Sequence, residues 1–169
     1  MKKLLVAVAL LSLFSFPVFA QDDAPAFEVF GGYSFINDYD AGETGHGFAA
    51  ALEGNATNTF GIVGEFGFYD FDGGSVYSYM FGPRFGYRAE KFRPFAHILF
   101  GGVTLSPDEE SANENYFSMA FGGGIDINIS DRFSIRPAQF DLLTFRYTED
   151  DMSDWINNIR YSAGIVLKF

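Results

Sequence analysis

Tyr161-Ser162-Ala163-Gly164-Ile165-Val166-Leu167-Lys168-Phe169 is the stretch that decides the fold. In steps of two, Tyr161, Ala163, Ile165, Leu167 and Phe169 form an apolar row that ends on the carboxyl-terminal aromatic. Ser162, Gly164 and Lys168 lie between them, and only Val166 breaks the alternation. One oily face backed by one small or polar face is how a strand of a transmembrane barrel reads.

The same alternation recurs upstream. Eight stretches carry it: 27–36, 47–55, 59–69, 76–88, 92–103, 116–129, 133–147 and 156–169. Each holds the roughly 9 residues that a tilted spanning strand needs. Between them, 55–58, 89–91 and 130–132 read as tight turns, whereas 37–46, 70–75, 104–115 and 148–155 read as longer connections. Short periplasmic turns and longer outer loops are the expected asymmetry of a membrane barrel, and an even strand number puts both termini on the short-turn side.

Side-chain size gives the sense of the faces. Tyr77, Tyr79, Phe81, Pro83 and Phe85 alternate with Ser78, Met80, Gly82, Arg84 and Gly86; Phe117, Met119 and Phe121 alternate with Ser118, Ala120 and Gly122. A water-soluble barrel would cover its outer face with long charged side chains. Glycine, alanine and serine with about one charge per strand fit instead the narrow interior of an eight-stranded barrel. The fold expected is therefore an all-β, eight-stranded antiparallel up-and-down barrel with its bulky rings turned to lipid. In the fifth stretch His97 shares a face with Phe95 and Leu99, and in the seventh the alternation slips near Pro137, where a bulge would restore the register.

Residues 1–20 read as a signal peptide: Lys2 and Lys3 precede an apolar run from Leu4 to Val18 and the small-residue site Val18-Phe19-Ala20. That run, interrupted by Ser12, Ser15 and Pro17, falls short of the ~20 residues a spanning helix prefers. Residues 21–169 read as one domain. The 22 Phe of the whole chain argue against disorder, and the absence of cysteine leaves the backbone ladder and packing to hold the domain together. Removal of Lys2 and Lys3 takes the formal net charge from -11 to -13. So anionic a chain is a poor ligand for nucleic acid.

The residues FEVFGGYSF (27–35), FGPRFGYR (81–88), PFAHILFGG (94–102), FSIRPAQFD (133–141) and RYSAGIVLKF (160–169) resemble, in this order, the outer-membrane β-barrel family of OmpA/OmpX-type small barrels. The resemblance implies residence in the bacterial outer membrane, among outer-membrane lipids and lipopolysaccharide. It also implies insertion by the barrel-assembly machinery, which reads a final strand ending in an aromatic residue; here Tyr161, Leu167 and Phe169 would carry that signal. Members of the family are not enzymes as a rule, and their tasks range from envelope integrity to adhesion. The peptidoglycan-binding domain that follows some such barrels has no counterpart before Phe169, so no tether to the cell wall is expected.

Two sets of charges follow from this arrangement. With the small-residue face inside, Glu28, Glu53, Glu65 and Asp126 meet Arg84, Arg160, Arg136 and His97, and charges enclosed in a narrow lumen must pair. A structural or surface-interaction role would follow from a plugged lumen. A narrow porin-like channel for ions or small solutes would follow from rearranging pairs. The four longer connections are acidic, with Asp70, Asp72, Asp108, Glu109, Glu110, Glu149, Asp150 and Asp151 among their members and no Lys or Arg. Such loops could share divalent cations with lipopolysaccharide phosphates, and Tyr39, Phe71 and Trp155 could serve adhesion or anchor at the interface.

Nothing in the sequence points to a cofactor or a resident metal. Asp70-Phe71-Asp72-Gly73-Gly74-Ser75 opens like a calcium loop, but Phe81 stands where the twelfth-position carboxylate belongs. Enzymatic work on lipid would need a rim histidine with serine and a carboxylate. His46 could lie near that rim with Ser75, Ser111 or Ser153, but no His-x-Ser pair is present.

Overall fold

The computed structural model describes residues 24–38, 43–107, 113–149 and 152–169; at residues 38, 147–149 and 152–154 the description covers the backbone alone. The stretch read as a signal peptide lies outside these residues, as do Tyr39, Asp108, Glu109, Glu110, Ser111, Asp150 and Asp151. Eight strands run β1 Phe27–Asp38, β2 Thr44–Asn55, β3 Phe60–Phe71, β4 Gly74–Gly86, β5 Phe92–Pro107, β6 Glu114–Ser130, β7 Phe133–Glu149 and β8 Met152–Lys168. Each pairs antiparallel with its chain neighbours, and β8 returns to β1 to close the barrel. The seam reaches the last residue: the Phe169 N–H donates to the Phe27 carbonyl at 2.9 Å and the Phe27 N–H to the Phe169 carbonyl at 3.3 Å. Closure removes the unpaired edge that hydrocarbon does not tolerate.

The faces sort by size. Phe81 is 65% exposed and Phe140 58%, both on the outer surface. Phe85 and Phe121 also point outward, and Phe60 packs against Phe85 with ring centroids 5.2 Å apart. Inside lie Val63, Leu99, Ala120 and Val166 together with Arg84, Arg136 and Arg160. Bulk is outside and charge is inside, the reverse of a water-soluble barrel.

At the end opposite the termini the strands outrun the alternation pattern. β5 continues past Val103 to Pro107, and β8 begins at Met152 instead of 156. Residues 70–75, expected as a longer loop, instead form a tight hairpin: Asp70 pairs with Ser75, Phe71 pairs with Gly74, and only Asp72 and Gly73 connect them. Asp-Gly is a hairpin dipeptide, and Gly73 takes the positive φ of +121° that a side chain would resist. Glu149 pairs with Met152, so 150–151 is equally short. Phe71, expected to face solvent, is turned inward by the extended strand and packs against the buried core. At the other end β4 stops at Gly86, which leaves Tyr87 and Arg88 in the turn.

β7 carries a register shift between Arg136 and Gln139. Before it Ile135 faces out and Arg136 in; after it Phe140 and Leu142 face out, and Gln139 and Asp141 in. The one extra residue lies at Pro137, which has no N–H to give the ladder. The carbonyl freed there accepts a 2.6 Å hydrogen bond from the Tyr161 hydroxyl. On a lipid-facing surface that bond covers a group that would otherwise be left bare.

Candidate functional site

The half of the lumen nearest the termini is filled by one hydrogen-bonded network to which every strand contributes. Glu28 on β1 receives Arg88 at 2.7 Å and also Arg93 of β5. Arg93 reaches Glu53 on β2 at 2.5 Å, and Glu53 accepts Arg84 of β4 at 3.0 Å. Arg84 continues to the Nδ1 of His97 at 3.0 Å, and the His97 Nε2 lies 2.6 Å from Asp141 of β7. A guanidinium only donates, so Nδ1 accepts and the imidazole proton sits on Nε2, aimed at the carboxylate.

Asp141 is the hub. It also accepts Arg160 of β8 through Nε at 3.0 Å and Nη2 at 2.7 Å, and the Gln139 amide at 2.9 Å. Arg160 pairs in addition with Glu65 of β3, which accepts Gln139 at 3.1 Å. Gln139 in turn accepts Arg136 at 2.8 Å, and Arg136 grips Asp126 of β6 with Nε at 2.7 Å and Nη2 at 3.0 Å. The Phe95 ring lies between two guanidinium groups, 4.3 Å from that of Arg84 and 4.4 Å from that of Arg136. Phe95 thus belongs to the inward face because it gives two cations a π surface.

Five carboxylates (Glu28, Glu53, Glu65, Asp126, Asp141) face five guanidiniums (Arg84, Arg88, Arg93, Arg136, Arg160), so the network is formally neutral. Neutrality and mutual hydrogen bonding are what permit so many ions out of water. The ladder also makes room for them. Arg160, Asp141, Gly122, His97 and Arg84 stand side by side in one row across five strands. A Cβ at Gly122 would lie 1.9 Å from the Asp141 carboxylate, so a glycine at this point is what the hub requires.

All eight residues expected in the lumen, Glu28, Glu53, Glu65, Arg84, His97, Asp126, Arg136 and Arg160, are placed inside it and are joined through the network. Four further members, Arg88, Arg93, Gln139 and Asp141, were not among the residues expected there. Arg93 lies at the start of the stretch 92–103, two residues before Phe95 on the His97 face, and Arg88 ends the stretch 76–88 on the Arg84 face. Gln139 and Asp141 change sides only when the Pro137 bulge is counted into the parity of β7. The slip in alternation was the signal for both.

Above this floor the lumen turns apolar within one row. Asn158 pairs with Leu143 and Leu143 with Ala120, one inward step from the row of Arg160 and Asp141. Leu99, Met80, Val103 and Ile36 continue the change of character. Of the outward residues, Tyr161 packs on Phe140 at 5.1 Å, and Leu167 and Phe169 are exposed beside the seam. Trp155 and Tyr87 are also exposed on the outer surface, and Tyr77 packs on Phe68 at 5.2 Å. Asp70 and Asp72 are exposed at the far rim.

His46 faces outward on β2, with Nδ1 2.5 Å from the Tyr33 hydroxyl. Ser75 donates instead to Asp70 at 3.4 Å. Among the described residues no three His, Asp or Glu side chains cluster so as to hold a metal ion.

A closed antiparallel barrel with rings outside and ions inside defines an outer-membrane barrel. The chain belongs to the family described as the outer membrane protein beta-barrel domain, which matches residues 6–169. The chain is similar in fold to Neisserial surface protein A, with a TM-score of 0.64 at 9% identity, over 85% of this chain and 96% of that one. The outer membrane protein OprG of Pseudomonas aeruginosa superposes with a TM-score of 0.63 at 9% identity, over 88% and 98%. The N-terminal barrel domain of OprF from the same organism gives 0.57 at 11%, over 86% and 98%. No curated protein matches the chain in sequence.

Proposed function

We propose that the protein is a closed barrel of the bacterial outer membrane, exported by a cleavable signal peptide, with a structural or surface-interaction role and no enzymatic one. One observation carries this reading: ten ionised side chains, nine from the eight strands and Arg88 from the turn after β4, interlock across the lumen at the end of the chain termini. An ion crossing the barrel would have to break several buried pairs, each costly to separate because its partners would be left uncompensated. The acidic rim suits contact with lipopolysaccharide through shared divalent cations, and the aromatic seam at Phe169 suits recognition by the barrel-assembly machinery. A chelator titration that leaves thermal stability and lipid association unchanged would remove the cation-bridging part.

Single-channel recording in planar bilayers tests the whole. The refolded protein is expected to give no reproducible conductance steps at neutral pH. Regular steps that persist across preparations would favour the narrow channel instead.

A further inference from the structure

Above the ionic floor, at the end opposite the termini, the barrel holds an open-mouthed cavity of about 360 Å³. Ile36, Val103, Leu143, Phe145 and Ile156 wall it, and Phe71 of β3 also lines it. This is within the size range of small-molecule sites, which are apolar pockets with a few placed polar groups. One such group is present. Asn158 lines the cavity, is 3% exposed, and its Nδ2 has no hydrogen-bond partner among the described residues. A buried amide donor without an acceptor is a cost that a matching ligand would remove.

We infer that this cavity is a binding site for a small neutral apolar molecule carrying one hydrogen-bond acceptor, such as a ketone, ester or amide carbonyl, received by Asn158 when its buried amide turns to the cavity. The described lining contains two carboxylates, Glu43 and Asp72, and no cation. It therefore selects against a free carboxylate of the same chain length. The floor makes the site a dead end, because directly below Leu143 the inward residue is Asp141, held by Arg160 and His97. The inference goes beyond the closed-lumen reading, since occupancy can be scored whether or not the barrel conducts.

The test is methyl NMR of the whole protein in lipid nanodiscs, titrated with 2-decanone, decanoate and decane. Saturable shifts are expected from 2-decanone at Ile36, Val103 and Leu143, with none at the lipid-facing Leu52, Ile98 and Leu142. Decanoate should bind at least about tenfold more weakly, in line with an unpaired charge at an apolar and acidic site. Asn158→Leu should weaken 2-decanone about tenfold, the scale of one hydrogen bond, and leave decane unchanged. Leu143→Phe, or Val103→Phe if the first does not fold, should abolish the shifts by filling the space. Unheated electrophoretic mobility establishes that each variant is folded. Shifts that grow linearly and equally at both sets of methyls would mean partition into lipid only and would overturn the site. Wild-type binding by folded Asn158→Leu and by the folded Phe variant would overturn it as well.

Discussion

Arg160 and Asn158 are neighbours on the inward face of β8, yet their surroundings are opposites. Arg160 is clasped by Asp141 and Glu65 in a packed ionic layer, whereas Asn158 stands among Leu143, Ile156 and open volume with its amide nitrogen unpaired. The floor is directional: each ion fixes its neighbours, and every strand is pinned to the others by a side chain as well as by the ladder. The mouth is permissive, because apolar walls set a shape without dictating partners. A single row of the sheet separates the two regimes. One lumen can thus combine a rigid stopper with a vestibule free to receive something.

The largest effect should come from the floor. Asp141→Ala strands Arg160 and removes the acceptor of His97 and Gln139, so it should cost about 3–5 kcal/mol of stability, read as urea unfolding from lipid vesicles. Asp141→Leu, which restores volume but not charge, should recover little of this while Arg160 remains. A small loss on Asp141→Ala would mean that the network fills space without binding the strands together, and the contrast with the mouth would collapse.

At the mouth, Leu143→Ala should cost about 2–3 kcal/mol, toward the low end for a buried leucine, since its side chain already borders open volume. A loss as large as that of Asp141→Ala would show the outer half packed as tightly as the floor. The smallest effect belongs to the rim. Gly73→Ala should cost about 1 kcal/mol, from the positive φ alone, because no atom lies within 4 Å of the Cβ it would add. A larger penalty would mean that the Asp72-Gly73 turn bears on the cavity below it.

Sequence parity reached far into this structure, and its failures have particular causes. The outward rows of Phe60 to Phe68 and Tyr77 to Phe85, and the inward Glu65, Arg84 and Asp126, follow from period two alone. Strand ends at the rim did not, because a strand that leaves the membrane no longer needs an oily face, and Asp70 and Ser75 continue the ladder with polar side chains. Phe71 was misplaced for that reason. Asp141 was missed because parity holds only between bulges: one irregularity at Pro137 exchanges the faces of everything beyond it in β7.

Alternation of large apolar with small residues, ending on Phe169, determined by itself that the chain is a membrane barrel with its bulk outside, since hydrocarbon and a narrow lumen each admit only one kind of side chain. Which ions meet inside was decided by the tertiary structure, as was the empty apolar volume beyond them. Contacts such as Gln139 with Glu65 or Arg93 with Glu28 span the lumen between strands far apart in sequence, and they depend on tilt, stagger and bulge, which no local pattern encodes.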